Sequence, residues 1–354
     1  MKFIGDLDFK NKKVLVRCDF NVPIDDGLIV EEERILSALE TINFILGQEP
    51  EMVLLVSHLG KPQGEYKEEL SLLPVKNRLE ERLKKKVELI GDLDVLEMIK
   101  EKKEVGELQK LYLLENLRFW PGEEAKDQIF SEKICAGFEI FVNEAFSESH
   151  RDYSSMTVFP KLIPEKCAGF LFKKEWEILS GVLSPKARPA VAIIGGAKIE
   201  TKLPTIDFLK NNYEIVLLGG KVANEALDQK LDLGEKVFLP VDFSPSEEAE
   251  SRLDIGEKTL EIFREKISSA KTIIWNGPLG MFERKEYAVG TEAVAQAIVA
   301  NRSAYKLAGG GETIKALKMF GSFSDFDYVS MSGGAMLEFL SGKELPGMKA
   351  LEEE

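Results

Sequence analysis

Apolar runs that stop at glycine recur along this chain, and each is followed by a stretch with helical spacing. The clearest is VAIIGGAKIETK, residues 191–202. Val191, Ala192, Ile193 and Ile194 read as a buried strand, Gly195 and Gly196 let backbone amides come close to a ligand, and Lys198 and Lys202 fall one turn apart on the helix that follows. A strand end, bare amides, a helix start and two ammonium groups together describe a phosphate site. EIVLLGG ending at Gly220, AYKLAGGG ending at Gly311 and DYVSMSGG ending at Gly334 repeat the pattern, and TIIWNGP, residues 272–278, is a near relative. Strands alternating with helices predict a parallel sheet, and right-handed crossovers put its carboxyl ends on one edge. The glycine loops are therefore expected to line one crevice, suited to a polyphosphate.

The first half has the same rhythm. VLVRCDFNVP, residues 14–23, opens as a strand with Arg17, Asp19 and Asn21 on one face and Val16, Cys18 and Phe20 on the other; taken alone it reads as a half-exposed edge strand. VLLVSHLGKP, residues 53–62, runs into Ser57, His58, Gly60 and Lys61. LYLLENLRFWPGEE places Arg118 just past a third strand, and IFVNEAFSESHRDYSS places Asn143, His150 and Arg151 after a fourth. With Arg34 in EEERI, these side chains predict one basic pocket at the strand ends. Guanidinium forks suit a small metabolite that carries both carboxylate and phosphate. Between the halves, residues 168–185 carry Leu171, Phe172, Trp176, Leu179 and Leu183 at helical spacing and read as an interdomain helix, followed by Pro185 and Pro189.

Composition narrows the picture. A chain of 354 residues is long for one core, so two domains of roughly 150–180 residues are expected. Lysine and arginine number 47 against 61 acidic residues, a formal net charge of −14. Such a surface repels nucleic acid and anionic membranes, so an anionic ligand needs a local basic cluster. Cys18, Cys135 and Cys167 show neither a disulfide framework nor zinc spacing, which fits a reducing compartment. No signal peptide and no membrane span are expected.

At this point the residues resemble the phosphoglycerate kinase family. VRCDFNVP, SHLGKP, LLENLRF with PGEE, VNEAF, HR, AGFL, GGAK, LDIG, WNGP, FE, GT, GGGET, SGGA and LPG stand here in that family's order over nearly the whole chain. The resemblance implies two doubly wound α/β parallel-sheet lobes joined by an interdomain helix and hinge, closing over their substrates. Residues 1–170 would hold 3-phosphoglycerate or 1,3-bisphosphoglycerate, with the tail 340–354 packed back on them. Residues 171–185 would form the interdomain helix, and residues 186–339 would hold MgADP or MgATP. The implied reaction is reversible phosphoryl transfer between 1,3-bisphosphoglycerate and MgADP by a cytoplasmic monomer.

Carried over position by position, Asp19, Phe20, Asn21, Arg34, His58, Leu59, Gly60, Lys61, Arg118 and Arg151 are implied to bind phosphoglycerate. Arg34 and Lys198, with the amides at Gly333 and Gly334, are implied to act on the transferring phosphoryl group. The implied nucleotide set is Gly195, Gly196, Ala197, Lys198, Lys202, Gly219, Gly220, Gly256, Asn276, Pro278, Glu283, Gly310, Gly311, Glu312 and Thr313, with Lys202 on phosphate, Glu283 on ribose, Gly195 to Ala197 with Gly219, Gly220 and Pro278 on the adenine, and Glu312 meeting the magnesium. Lys61, Tyr153, Lys221, Glu312 and Ser332 depart from the residues usual in the family, and the chain is several tens of residues short between 227 and 240. Two readings stand: a kinase, or a phosphoglycerate-binding relative with weak or lost nucleotide binding and turnover. A nicotinamide dehydrogenase would need a GxGxxG turn where the first strand here ends in CDFN.

Overall fold

The chain, seen in a computed structural model, is described over residues 1–101, 111–248 and 252–353. It divides into two compact units, Met1–Trp176 with Glu344–Glu354, and Glu177–Lys343. Each is built on one parallel six-stranded sheet flanked by helices.

In the first unit the strands are β1 (Lys13–Arg17), β2 (Met52–Val56), β3 (Glu88–Ile90), β4 (Leu111–Leu114), β5 (Ile140–Asn143) and β6 (Glu165–Ala168), in the order β3-β4-β2-β1-β5-β6. Val14, Val16, Val53, Leu55 and Val142 pack against Ile35, Ala38 and Ile42 of the helix Glu33–Gly47 and Leu79 of the helix Leu73–Leu83. The reading of β1 as an edge strand is overturned. It lies in the sheet centre between β2 and β5, and Arg17 at its end is wholly buried. In a parallel sheet covered on both faces, alternating polar residues at the last positions of a strand mark its carboxyl end, not a solvated face. Arg17 tolerates burial because its Nε donates to Ser155 Oγ at 2.9 Å and its Nη1 to the Cys18 carbonyl. The C-terminal helix Pro346–Glu352 belongs to this unit, and Gly347 N donates to the Ser149 carbonyl at 2.8 Å.

The second unit repeats the plan with β7 (Ala190–Ile194), β8 (Ile215–Leu218), β9 (Val237–Phe238), β10 (Thr272–Asn276), β11 (Tyr305–Gly309) and β12 (Tyr328–Ser330), in the order β9-β8-β7-β10-β11-β12. Register brings Leu218, Ile194, Asn276, Gly309 and Ser330 side by side, so the loops that follow all open on one edge. Sheet order reverses direction between β7 and β10, the place where open α/β sheets take ligands. Trp275, Phe263, Leu260 and Val294 fill the core beneath.

The helix Phe170–Leu183 carries the chain from one unit to the next, with Phe172 and Leu179 buried and Leu171, Trp176 and Leu183 half-buried. Its first turn is held by two side chains of the first unit: Thr41 Oγ1, on the helix Glu33–Gly47, accepts from Phe170 N at 2.9 Å, and the Glu144 carboxylate, just after β5, accepts from Leu171 N at 3.0 Å. Burial outweighs these donors and raises the Glu144 carboxyl to about 7. A carboxyl raised on folding favours the folded state most below its unfolded value near 4.5, and that contribution is lost as pH climbs through about 7. Glu144→Gln is expected to be the more stable form at pH 8, and urea unfolding should show the wild type losing roughly 1 kcal/mol per pH unit relative to it between pH 5 and 7. Parallel stability curves for the two proteins would show that Glu144 stays charged throughout. Among the described residues no helix is long and apolar enough to cross a membrane.

Candidate active site

A cleft of about 780 Å³ opens at the carboxyl edge of the second sheet, within the range of small-molecule sites. Gly195, Gly196 and Ala197 after β7, Asn276 and Pro278 after β10, Gly310 to Thr313 after β11, and Gly333 and Gly334 after β12 form its wall, with Gly220 and Lys202. Two of the glycines are required by close approach. A Cβ on Gly195 would lie 2.0 Å from the Pro278 carbonyl oxygen, because the two loops pack backbone to backbone. Gly310 has φ +98° and lies against the Asn276 amide.

Four helices start at this edge, Ile199–Asn212, Gly220–Asp228, Gly311–Met319 and Gly333–Leu340. None is closed by a side chain at its capping position, where Lys198, Gly219, Gly310 and Ser332 stand. Two of these starts already have partners: Ile199 N donates to Glu225 Oε2 at 2.8 Å, and Gly220 N and Val222 N donate to the Leu279 and Gly196 carbonyls at 2.9 and 3.0 Å. The starts at Gly311 and Gly333 face the cleft, and positive helix ends so placed make an anion seat. Lys202 Nζ reaches in and donates to Asn276 Oδ1 at 2.7 Å, while Asn276 Nδ2 donates to the Gly309 carbonyl at 2.7 Å. Burial brings the Lys202 ammonium down to about 8, the state of a cation awaiting an anionic partner. Thr313 accepts from Gly277 N at 2.7 Å through Oγ1, which ties the β10 and β11 loops together.

Glu283 and Glu312 are both exposed in the wall, and Glu312 pairs with Lys315 at 2.9 Å. Among the described residues no three acidic, His or Cys side chains gather to cage a metal. A lone carboxylate beside open helix ends fits a magnesium ion that arrives on a polyphosphate, since magnesium uses few protein ligands and completes its shell with phosphate and water.

Three members of the expected nucleotide set lie elsewhere. Gly219 packs beneath Leu279, whose side chain would be 2.4 Å from an added Cβ. Gly256 opens the helix Glu257–Ser269 against the Asp242 carboxylate, also 2.4 Å from an added Cβ. Lys198 is exposed at the capping position of its helix and outside the cleft wall. Conversely, Lys221, Asn224 and Asp228 enter the wall from the helix Gly220–Asp228, and Arg252 faces them, its Nη1 donating to Asp228 Oδ1 at 2.8 Å. Gly220, Asn224 and Asp228 are spaced by four, so helical periodicity alone marks them as one face.

At the carboxyl edge of the first sheet the basic residues converge as expected, but on top of carboxylates. Asp19 pairs with the Arg34 guanidinium and accepts from Ser147 Oγ at 2.5 Å and from Asn21 N at 3.1 Å. Burial would raise this carboxyl, yet Arg34 and the hydrogen bonds outweigh it and hold Asp19 at about 2. Asn21 Oδ1 accepts from Gly60 N at 3.0 Å. Arg118, after β4, donates through Nη1 to the Gly60 carbonyl and through Nη2 to Glu148 Oε2, both at 2.9 Å, with its guanidinium 5.5 Å from the Tyr153 ring centre.

His58 Nδ1 lies 3.3 Å from Arg17 Nη2, and a guanidinium only donates, so Nδ1 accepts and the ring proton sits on Nε2. Burial keeps His58 neutral, pushing it well below the usual imidazole range, with Arg17, Arg118 and Arg34 reinforcing and Asp19 opposing. Lys61 and Arg151 are exposed. The side chains of Phe20 and Leu59 lie in the core, in the apolar cluster under the sheet. Only their backbone faces the edge, Phe20 N donating to Ser57 Oγ at 2.8 Å and Leu59 N to Asn116 Oδ1 at 3.1 Å.

Comparison with known proteins agrees with this geometry. The family model described as Phosphoglycerate kinase matches residues 4–244 and 232–343. The chain is 37% identical to a phosphoglycerate kinase of Clostridium botulinum (strain Loch Maree / Type A3) over 394 positions, covering 99% of this chain and 98% of that one. It is 37% identical to one of Finegoldia magna over 395 positions, covering 99% of each. Both alignments are longer than the chain, which therefore carries gaps against them. The solved phosphoglycerate kinase of Coxiella burnetii superposes with a TM-score of 0.85 at 33% identity, and that of Pyrococcus horikoshii OT3 with 0.82 at 31%, each covering 99% of this chain and 98% of the other. With matched motifs, two parallel sheets and near-complete coverage all in accord, the chain belongs to the phosphoglycerate kinase family.

Proposed function

We propose a division of labour among the residues of the two units for the chain's reaction, the reversible transfer of the acyl phosphate of 1,3-bisphosphoglycerate to MgADP, giving 3-phosphoglycerate and MgATP in glycolysis. The observation that carries it is the cleft of the second unit, where the helix starts at Gly311 and Gly333 and a half-buried Lys202, lowered by burial to about 8, face the same space. That arrangement is built for a polyphosphate, and Lys202 regains its full charge when one arrives.

In this reading Lys202 and the amides of Gly310, Gly311 and Thr313 hold the nucleotide phosphates, Glu283 takes the ribose, and Gly195 to Ala197 with Gly220 and Pro278 lie against the adenine. Asp19, Asn21, His58, Arg118 and Arg151 hold the phosphoglycerate. The acyl phosphate in flight carries charge on its equatorial oxygens, and fixed donors placed where that charge develops lower the barrier without reorganising. Arg34 of the first unit, and Lys198 with the Gly333 and Gly334 amides of the second, are assigned that role. Lys198 suits it because its side chain is left out of the nucleotide wall.

Magnesium, when bound on the nucleotide, neutralises charge on the phosphate oxygens, and Glu312 is the carboxylate placed to hold it. Glu312→Gln is expected to weaken MgADP binding about tenfold or more while leaving metal-free ADP unchanged, as read by calorimetry. Equal losses for both, or none for either, would make Glu312 only an acidic residue favoured at a helix start. We place the protein in the cytoplasm, in keeping with three buried free thiols, and recovery solely with membranes on cell fractionation would contradict that.

A further inference from the structure

In the first unit a carboxylate occupies part of the basic pocket. Glu148 ends the short turn Phe146–Glu148 after β5, about nine-tenths buried. Its Oε2 accepts from Arg118 Nη2 at 2.9 Å, and its Oε1 lies 3.5 Å from His58 Nε2. Two donors beside it lack a hydrogen-bond partner although fully shielded from water: His58 Nε2, which carries the ring proton, and Arg118 Nε, 3.6 Å from Glu124 Oε1. Unused buried donors on two side chains this deeply enclosed are costly unless an acceptor joins them. An anion seated there must share the Arg118 fork and the His58 proton with Glu148, and two anions cannot both be charged on one such seat.

We propose that Glu148 is a proton-linked determinant of substrate affinity: the anionic group of a phosphorylated hydroxy acid takes its place on Arg118 and His58 only as Glu148 binds a proton. The inference rests on the reading that this pocket holds phosphoglycerate. The charged groups around Glu148 set the direction. Asp19, on the loop after β1, is itself held ionised by Arg34 and so disfavours a second negative charge, while Arg17 on β1, Arg118 after β4 and Arg151 on the following loop favour it. Glu124 faces Arg118 from the turn beyond β4, and His58 is neutral and adds no charge. Burial and Asp19 prevail, raising the Glu148 carboxyl, which lowers the cost of protonating it when a second anion arrives.

The balance is simple: one proton passes from solvent to a Glu148 oxygen as one ligand anion binds, with no covalent change. The test is calorimetry of 3-phosphoglycerate at pH 7.5 to 8.5 in buffers of different ionisation enthalpy, where the ligand phosphate is already fully ionised. The wild type should take up close to one proton per ligand, its affinity falling tenfold per pH unit. Glu148→Gln should take up none and show affinity independent of pH over that range. Binding by both proteins with the same proton count, or by the wild type with none, overturns the inference alone. Failure of both proteins, folded by circular dichroism, to bind 3-phosphoglycerate overturns the phosphoglycerate reading as well.

Discussion

Arg34→Ala is expected to lower kcat about a thousandfold while leaving the fold intact. The side chain stands in the first turn of the helix Glu33–Gly47, where a cation opposes the helix dipole and so gains nothing from the helix itself. It keeps about a third of its surface open to solvent, and its partner Asp19 is buried and ionised. Asp19 thus serves to aim the guanidinium, with Ser147 Oγ donating to the same carboxylate oxygen, Oδ2, and the Asn21 amide to Oδ1. Truncation leaves Asp19 buried without its cation, for which a loss of roughly 1–3 kcal/mol in stability is expected. Arg34→Lys separates the two roles, since it retains the charge but not the fork. An unchanged kcat in Arg34→Ala, accompanied only by a lower melting temperature, would reduce Arg34 to a salt-bridge partner.

Gly195→Ala should be the most damaging single methyl in the second unit. The added carbon would meet the Pro278 carbonyl oxygen at 2.0 Å and that of Gly277 at 2.7 Å, both backbone atoms. The loops cannot part freely, because Gly195 N donates to the Asn276 carbonyl at 2.8 Å and β7 and β10 are paired through Ile194 and Asn276. A destabilisation of about 3 kcal/mol and loss of MgADP binding are expected, measured by urea unfolding and calorimetry. Gly333→Ala is the control. Its nearest neighbour would be the Gly310 Cα at 3.9 Å, and alanine favours the helix it begins, so stability should hold or rise slightly. Equal tolerance of both substitutions would mean that the β7 and β10 loops are not packed as described.

What could be read in the sequence was where strands end, since an apolar run stopping at glycine or at a basic residue carries its own signal. That signal alone puts Gly195, Asn276, Gly310 and Gly333 on one edge and Arg34, His58 and Arg118 on another. Which atoms face the ligand was less legible. Phe20 and Leu59 lie beside site residues in the sequence, yet the alternation of an extended chain turns their side chains into the core. Gly219 and Gly256 read as bare amides, but their missing side chains make room for Leu279 and Asp242. Arg252 and Asp228 are 24 positions apart and meet only because the short hairpin 243–245 with 252–255 folds back beside the helix Gly220–Asp228. Glu148 is one of three acidic residues, with Glu144 and Asp152, in the stretch 143–152 and has no periodicity to mark it, so its meaning comes from Arg118, thirty residues away.

The central claim is that this chain, with its lysine at 61, tyrosine at 153 and glutamate at 312, still passes a phosphoryl group between its two substrates. The direct measurement is ATP formation by the purified protein from 1,3-bisphosphoglycerate, ADP and magnesium, followed through a coupled assay. The account predicts turnover that depends on all three additions and nearly vanishes in Arg34→Ala. Binding of both substrates by calorimetry with no ATP formed above the uncatalysed rate would contradict it.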